Sequence, residues 1–152
     1  MGAVEAQAWL TGSRQCGALR DRLDAAPTGA NVCHCRMFQK ASGGPYMAFA
    51  GVRLNDLAWT RGAPKVFASS AVAERGFCAE CRTPLTYRLL GRDRISVTLG
   101  SLDQPTAVVP EMPYGIESRL PWLDLIPSLP QGDVATFLGG AAASRQSPDH
   151  DT

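Results

Sequence analysis

The sequence predicts a mostly β domain, built from antiparallel sheets with short helical turns and stapled by zinc. Three observations carry this. Fifteen glycines and eleven prolines punctuate 152 residues, which favours short strands and many turns over long helices. The apolar residues fall in short runs bounded by turn residues, as in 46–52 (YMAFAGV). The five cysteines include two tight pairs, Cys33-x-Cys35 and Cys78-x-x-Cys81, spaced as metal half-sites.

The elements follow in order. Residues 1–8 read as a flexible N-terminus. Residues 8–12 and 17–23 read as the first two strands, with a turn at 27–29. After Cys33-His34-Cys35, the stretch RMFQKAS predicts one or two helical turns stopped by Gly43-Gly44-Pro45. Residues 46–52 are a strand. Residues 57–60 and 65–68 flank Arg61-Gly62-Ala63-Pro64 and read as a hairpin. Residues 73–77 lead into the Cys78/Cys81 knuckle, and 85–89 with 95–99 form a second hairpin across Gly91-Arg92-Asp93. The proline-rich stretch 105–130 reads as an extended wrap-around, and 133–138 as a short helical turn. Residues 9–138 thus form one domain, and the small, polar segment 139–152 reads as a disordered tail.

Charge and patterning exclude several classes. The formal net charge is +1 and the arginines are scattered, so no basic tract points to nucleic acid. No run approaches the ~18 apolar residues of a membrane span. The start, MGAVEAQAWLTGS, lacks a basic region followed by an apolar core, so the expected location is the cytoplasm. There an odd number of cysteines argues against a disulfide framework. Phosphate-loop, nucleophile-elbow and Ser-His-Asp patterns are not found.

Zinc accepts tetrahedral thiolates, and Cys-x-x-Cys offers two from one tight turn. Cys16 is the natural partner of Cys78 and Cys81. A close companion for Cys16 would stand two residues away, where Arg14 and Ala18 cannot ligate. Three ligands result, with water or a carboxylate such as Glu74 or Glu80 to complete the set. The second half-site, Cys33 and Cys35, needs a third ligand one helical turn on, where Phe38 stands. His34 is a candidate to supply it, although the middle residue of Cys-x-Cys points away from its neighbours on an extended backbone, and the alternative is a solvated or hydrogen-bonding histidine. The alternative for each pair is buried thiols packed as small hydrophobes.

In order, spacing and flanks these blocks resemble the glutathione-dependent formaldehyde-activating enzymes, which share their domain with centromere protein V. That family's pattern is G-x-C-x-C-G, C-H-C-x-x-C followed by K-x-x-G-x-P, and F-C-x-x-C-G-x-x-L. Here stand Gly12 to Gly17, Cys33 to Pro45 and Gly76 to Leu85, joined farther on by VTLGSLD at 97–103 and SRLPWL at 118–123. The resemblance covers roughly residues 9 to 125. It implies an Mss4-like fold and a structural zinc on Cys16, Cys78 and Cys81. It also implies a catalytic zinc on Cys33 and Cys35, with glutathione and formaldehyde or another aldehyde as substrates. The implied reaction is that of S-(hydroxymethyl)glutathione synthase, a carbon–sulfur lyase. The chain departs from the pattern at Arg14, Phe38 and Arg82, which replace two cysteines and a glycine.

Glutathione carries two carboxylates, so Arg36, Lys40 and Arg75, beside the metal motifs, are candidate substrate-binding residues. Three readings result. The first is a zinc-dependent lyase. The second is a non-catalytic zinc-binding module of the same fold that binds glutathione or a protein partner. The third is a redox pair at Cys78 and Cys81.

Overall fold

The computed structural model describes residues 9–139 and 146–148, so the expectations for residues 1–8 and for most of the tail lie outside the described residues. Strands β1 (Leu10–Ser13), β2 (Arg20–Leu23) and β5 (Leu57–Arg61) form a three-stranded antiparallel sheet, in the order β1-β2-β5. The second sheet has seven strands. It uses β3 (Thr28–Cys33), β4 (Met47–Arg53), β6 (Lys65–Ala68), β7 (Ala73–Phe77), β8 (Pro84–Leu89), β9 (Arg94–Thr98) and β10 (Met112–Tyr114). Their order is β10-β3-β4-β9-β8-β7-β6. All pairings are antiparallel except β10 on β3. Helix α1 spans Arg36–Ser42 and the short α2 spans Val134–Phe137. The fold is mostly β, as the sequence predicts, and among the described residues no helix is long and apolar enough to cross a membrane.

Three apolar clusters place the cysteines. Leu10, Leu23, Ala50, Val97, Leu99 and Leu102 form the main core between the sheets. Leu23 is fully buried, worth about 1.5–3 kcal/mol of burial. Leu19, Cys78 and Leu85 form a second cluster, against which Trp59 and Cys81 pack. Phe38, Met47 and Phe49 form a third, backed by Cys33, Cys35 and Tyr87.

Two expectations are corrected. Residues 57–60 and 65–68 do not make a hairpin: β5 pairs with β2 in the small sheet, whereas β6 pairs with β7 in the large one. The chain switches sheets at Gly62, whose φ of 63° and close approach to the Ala18 carbonyl leave no room for a Cβ. A run judged by its own alternation does not reveal which sheet supplies its partner. Of the turn expected at 27–29, Thr28 and Gly29 belong to β3, and the stretch 105–130, read as an extended wrap-around, winds through 3-10 turns at 105–107, 116–118 and 121–128 and contributes a strand parallel to β3. Pro113 lacks an N–H and sits on that outermost strand, where one side of the ladder is unpaired.

Candidate metal centre and the Cys33–Cys35 site

The knuckle forms where β7 ends. The Arg82 N–H donates to the Cys78 carbonyl at 3.0 Å, and the Cys78 N–H donates to the Thr83 carbonyl at 3.0 Å. This closes the turn and brings Cys78 and Cys81 to one side. Arg82 adopts φ 66°, the only positive φ of a non-glycine among the described residues, at the position where the family pattern has glycine. Opposite, the Gly17 N–H donates to the Arg14 carbonyl at 3.0 Å and turns Cys16 toward the knuckle.

The three sulfurs lie within 4.8 Å of one another, and Cys16 Sγ is 3.7 Å from Cys78 Sγ. Zinc–sulfur bonds of ~2.3 Å at tetrahedral angles require sulfurs ~3.8 Å apart, so the residues fit a zinc ion. The Cys81 thiol is brought down to about 6: burial opposes ionisation, but hydrogen bonds from Thr83 and Cys16 outweigh it. Its sulfur lies 3.0 Å from Thr83 Oγ1. Cys16 shifts the other way: a backbone hydrogen bond at Ala18 favours its thiolate, and burial with the Cys81 and Cys78 thiols outweighs it.

No carboxylate joins this group among the described residues. Glu74 is bonded by Arg88 at 3.4 Å, and Glu80 is exposed. Arg14 instead brings a cation. Its guanidinium is buried, donates to Asp21 Oδ1 at 2.8 Å and lies 5.1 Å from the centre of the Trp59 ring. Burial pushes Arg14 down, against the pull of Asp21 and of the Cys78 and Cys81 thiols. Three thiolates on Zn²⁺ leave one net negative charge, which a neighbouring guanidinium offsets.

The second site is built at the end of β3. Cys33 stands opposite Met47 of β4 and Tyr114 of β10. Cys35 caps α1, its Sγ accepting the Phe38 N–H at 3.5 Å. Burial pushes the Cys33 thiol up, a backbone hydrogen bond from Cys35 opposes this, and the Cys35 side chain adds to it. Phe38, 9% exposed, points into the third cluster, with ring centres 5.0 Å from Phe49 and 5.1 Å from Tyr87. The Arg75 guanidinium covers Phe38 at 4.5 Å. Among the described residues, no group of three close ligands includes Cys33 and Cys35. These residues therefore do not fit a three-thiolate zinc. His34 is buried with its ring against Tyr46 at 5.3 Å, and its Nδ1 has no hydrogen-bond partner.

Of the substrate-binding candidates, Arg36 is exposed and donates to Gln39 Oε1 at 2.6 Å. Lys40 and Arg75 line a cleft beside Phe38. Sequence reasoning missed three residues. Gln39 donates to the carbonyls of His34, Pro45 and Ser118, clamping the cysteine loop to a distant segment. Gly115, φ 63°, lets the chain press on that loop, where a Cβ would lie 2.5 Å from the Cys35 nitrogen. Asp21 answers the charge of Arg14. Tyr114-Gly115 carried a turn signal, whereas Gln39 and Asp21 read as ordinary polar residues.

A mostly β domain with a three-cysteine centre between its sheets and a second cysteine pair at a strand end defines the class of protein. The model of the family "Glutathione-dependent formaldehyde-activating enzyme" matches residues 9–117, and the chain belongs to that family. A crystal structure of a Rhodobacter sphaeroides protein is similar, with TM-score 0.54 and 20% identity, over 69% of this chain and 99% of that one. That likeness concerns the fold. No curated protein matches the chain.

Proposed function

We propose that the chain acts on a glutathione-type thiol and an aldehyde as a carbon–sulfur lyase, making and breaking the hemithioacetal. The observation that carries this is the placing of Cys33 and Cys35 within the electrostatic reach of Arg75, which with Lys40 lines the neighbouring cleft, within a domain of the formaldehyde-activating family. A single zinc on Cys16, Cys78 and Cys81 holds the domain together. In the addition, the carbon–sulfur bond forms and the carbonyl π bond breaks. The thiol proton is lost and the carbonyl oxygen gains one. Cys33, whose titration burial pushes up, donates a proton to the carbonyl oxygen and regains one from the attacking thiol, so its own state is restored, while the Arg75 guanidinium holds the negative charge in between and Cys35 fixes the loop at the start of α1. Arg36 and Lys40 receive the carboxylates of glutathione. A thiol site of this kind suits the reducing cytoplasm, without nucleic acid or membrane as partner.

The test is the rate of hemithioacetal formation against a protein-free blank, since the addition also runs uncatalysed. Acceleration that disappears in Cys33→Ser and Cys35→Ser supports the lyase, and a rate equal to the blank rejects it. Phe38 favours a second reading, a zinc-stapled module that binds the thiol without chemistry. Under it, Phe38→Cys gains a metal ion and a rate that the native chain lacks.

A further inference from the structure

The cleft beside Phe38 has a volume of about 460 Å³, within the ~300–1,000 Å³ of small-molecule sites. Four phenylalanines, Phe38, Phe49, Phe67 and Phe77, line it together with Met47. Formaldehyde has no carbon chain to fill such a space, and glutathione is a polar peptide. The charged residues of the lining are Lys40, Arg75 and Arg82, and no carboxylate is among them.

Arg75 is the unusual member. It rises from β7 among aromatic rings, over Phe38 at 4.5 Å and 5.8 Å from the centre of Tyr87. Its Nη2 is buried without a hydrogen-bond partner. The cross-strand neighbours of Arg75 are Phe67 and Tyr87, and the other titratable groups whose field reaches it are the Cys35 and Cys33 thiols, so no carboxylate answers its charge. The adjacent Glu74 is taken by Arg88. Leaving guanidinium donors unbonded away from water is costly, and a carboxylate is the group that matches their fork.

We propose that this cleft is a binding site for an amphipathic monocarboxylate, an aryl or medium-chain acid. Its apolar body lies among the phenylalanines and its carboxylate is held by Arg75, with Lys40 and Arg82 at the rim. The site shares Arg75 and Lys40 with the thiol and aldehyde reading but goes beyond it, since it does not require Cys33 and Cys35 to react. Phe67, 61% exposed on the outermost strand β6, forms one lip and is available to close over the ligand.

Calorimetric titration of the intact, zinc-loaded chain with 3-phenylpropionate and with its uncharged amide tests this. The acid should bind at least tenfold more tightly than the amide, which needs no variant to establish. Arg75→Gln should bring the acid down to the affinity of the amide, Arg75→Lys should recover part of the difference, and Phe67→Ser should weaken both. Equal binding of acid and amide, or an unchanged affinity in Arg75→Gln, overturns the proposal, as does absence of acid binding. Glutathione titrated in parallel keeps the two readings apart. Loss of glutathione binding alone rejects the thiol site, and loss of acid binding alone rejects this one.

Discussion

Arg14 and Asp21 form an ion pair sealed from water, with 2.8 Å between Nη2 and Oδ1 and side chains only 1% and 3% exposed. It stands where the family pattern has a metal-binding cysteine, so a charge pair occupies ground that a thiolate would hold. Breaking a buried pair strands one charge, which costs about 3–5 kcal/mol. Asp21→Asn should therefore lower stability by that order in urea unfolding. The double change Arg14→Met with Asp21→Leu should recover most of the loss, because neither charge is then left alone.

The sulfur geometry predicts about one zinc per chain, purified under reducing conditions without added metal. Cys81→Ser should abolish it, and a chelator should lower the thermal midpoint of the native chain. Metal analysis that finds about two ions would show that Cys33 and Cys35 recruit ligands after all.

Arg82 holds a left-handed conformation that glycine adopts without strain. Arg82→Gly should stabilise the protein by roughly 1 kcal/mol, read as a higher midpoint in thermal unfolding.

Gly115→Ala would put a Cβ 2.5 Å from the backbone nitrogen of Cys35. The turn must move away, and the cost is on the order of 1–3 kcal/mol. The specific signature is faster alkylation of Cys33 and Cys35, with the zinc content unchanged.

His34 titrates below its ordinary value because burial disfavours the cation and Arg119 repels it. The unfolded chain then takes up the proton first as pH falls. This contribution is complete above about 6.5 and is lost as pH drops toward the lower folded value. Urea midpoints at about pH 5 and about pH 7.5 should differ less in His34→Gln than in the native chain.

The sequence made the β class, the knuckle and the α1 turns legible because each depends on local chemistry. Gly43 stops α1 in a left-handed conformation, and Cys78 and Cys81 close their own turn. The partnership of Cys16 with them was legible from ligand counting. Sheet membership was not: residues 57–61 and 65–68 look like neighbours, yet their partners are β2 and β7. Nor was the burial of Arg14, since an arginine among polar residues reads as a surface charge until Asp21 and Trp59 enclose it. At the second site, Phe38 signalled a missing ligand, but its joining Phe49, Tyr87 and Arg75 required three separate strands to meet.

The clamp from Gln39 to Ser118 spans 79 residues of sequence, and the Tyr114 carbonyl that receives the His34 N–H lies as far along the chain. During synthesis the strands that carry the Cys33–Cys35 loop leave the ribosome long before their latch exists. That cysteine pair is consequently among the last parts of the domain to reach its final form. A chain halted before residue 112 would have β3 and β4 but no latch over its thiols, open to oxidants during the interval.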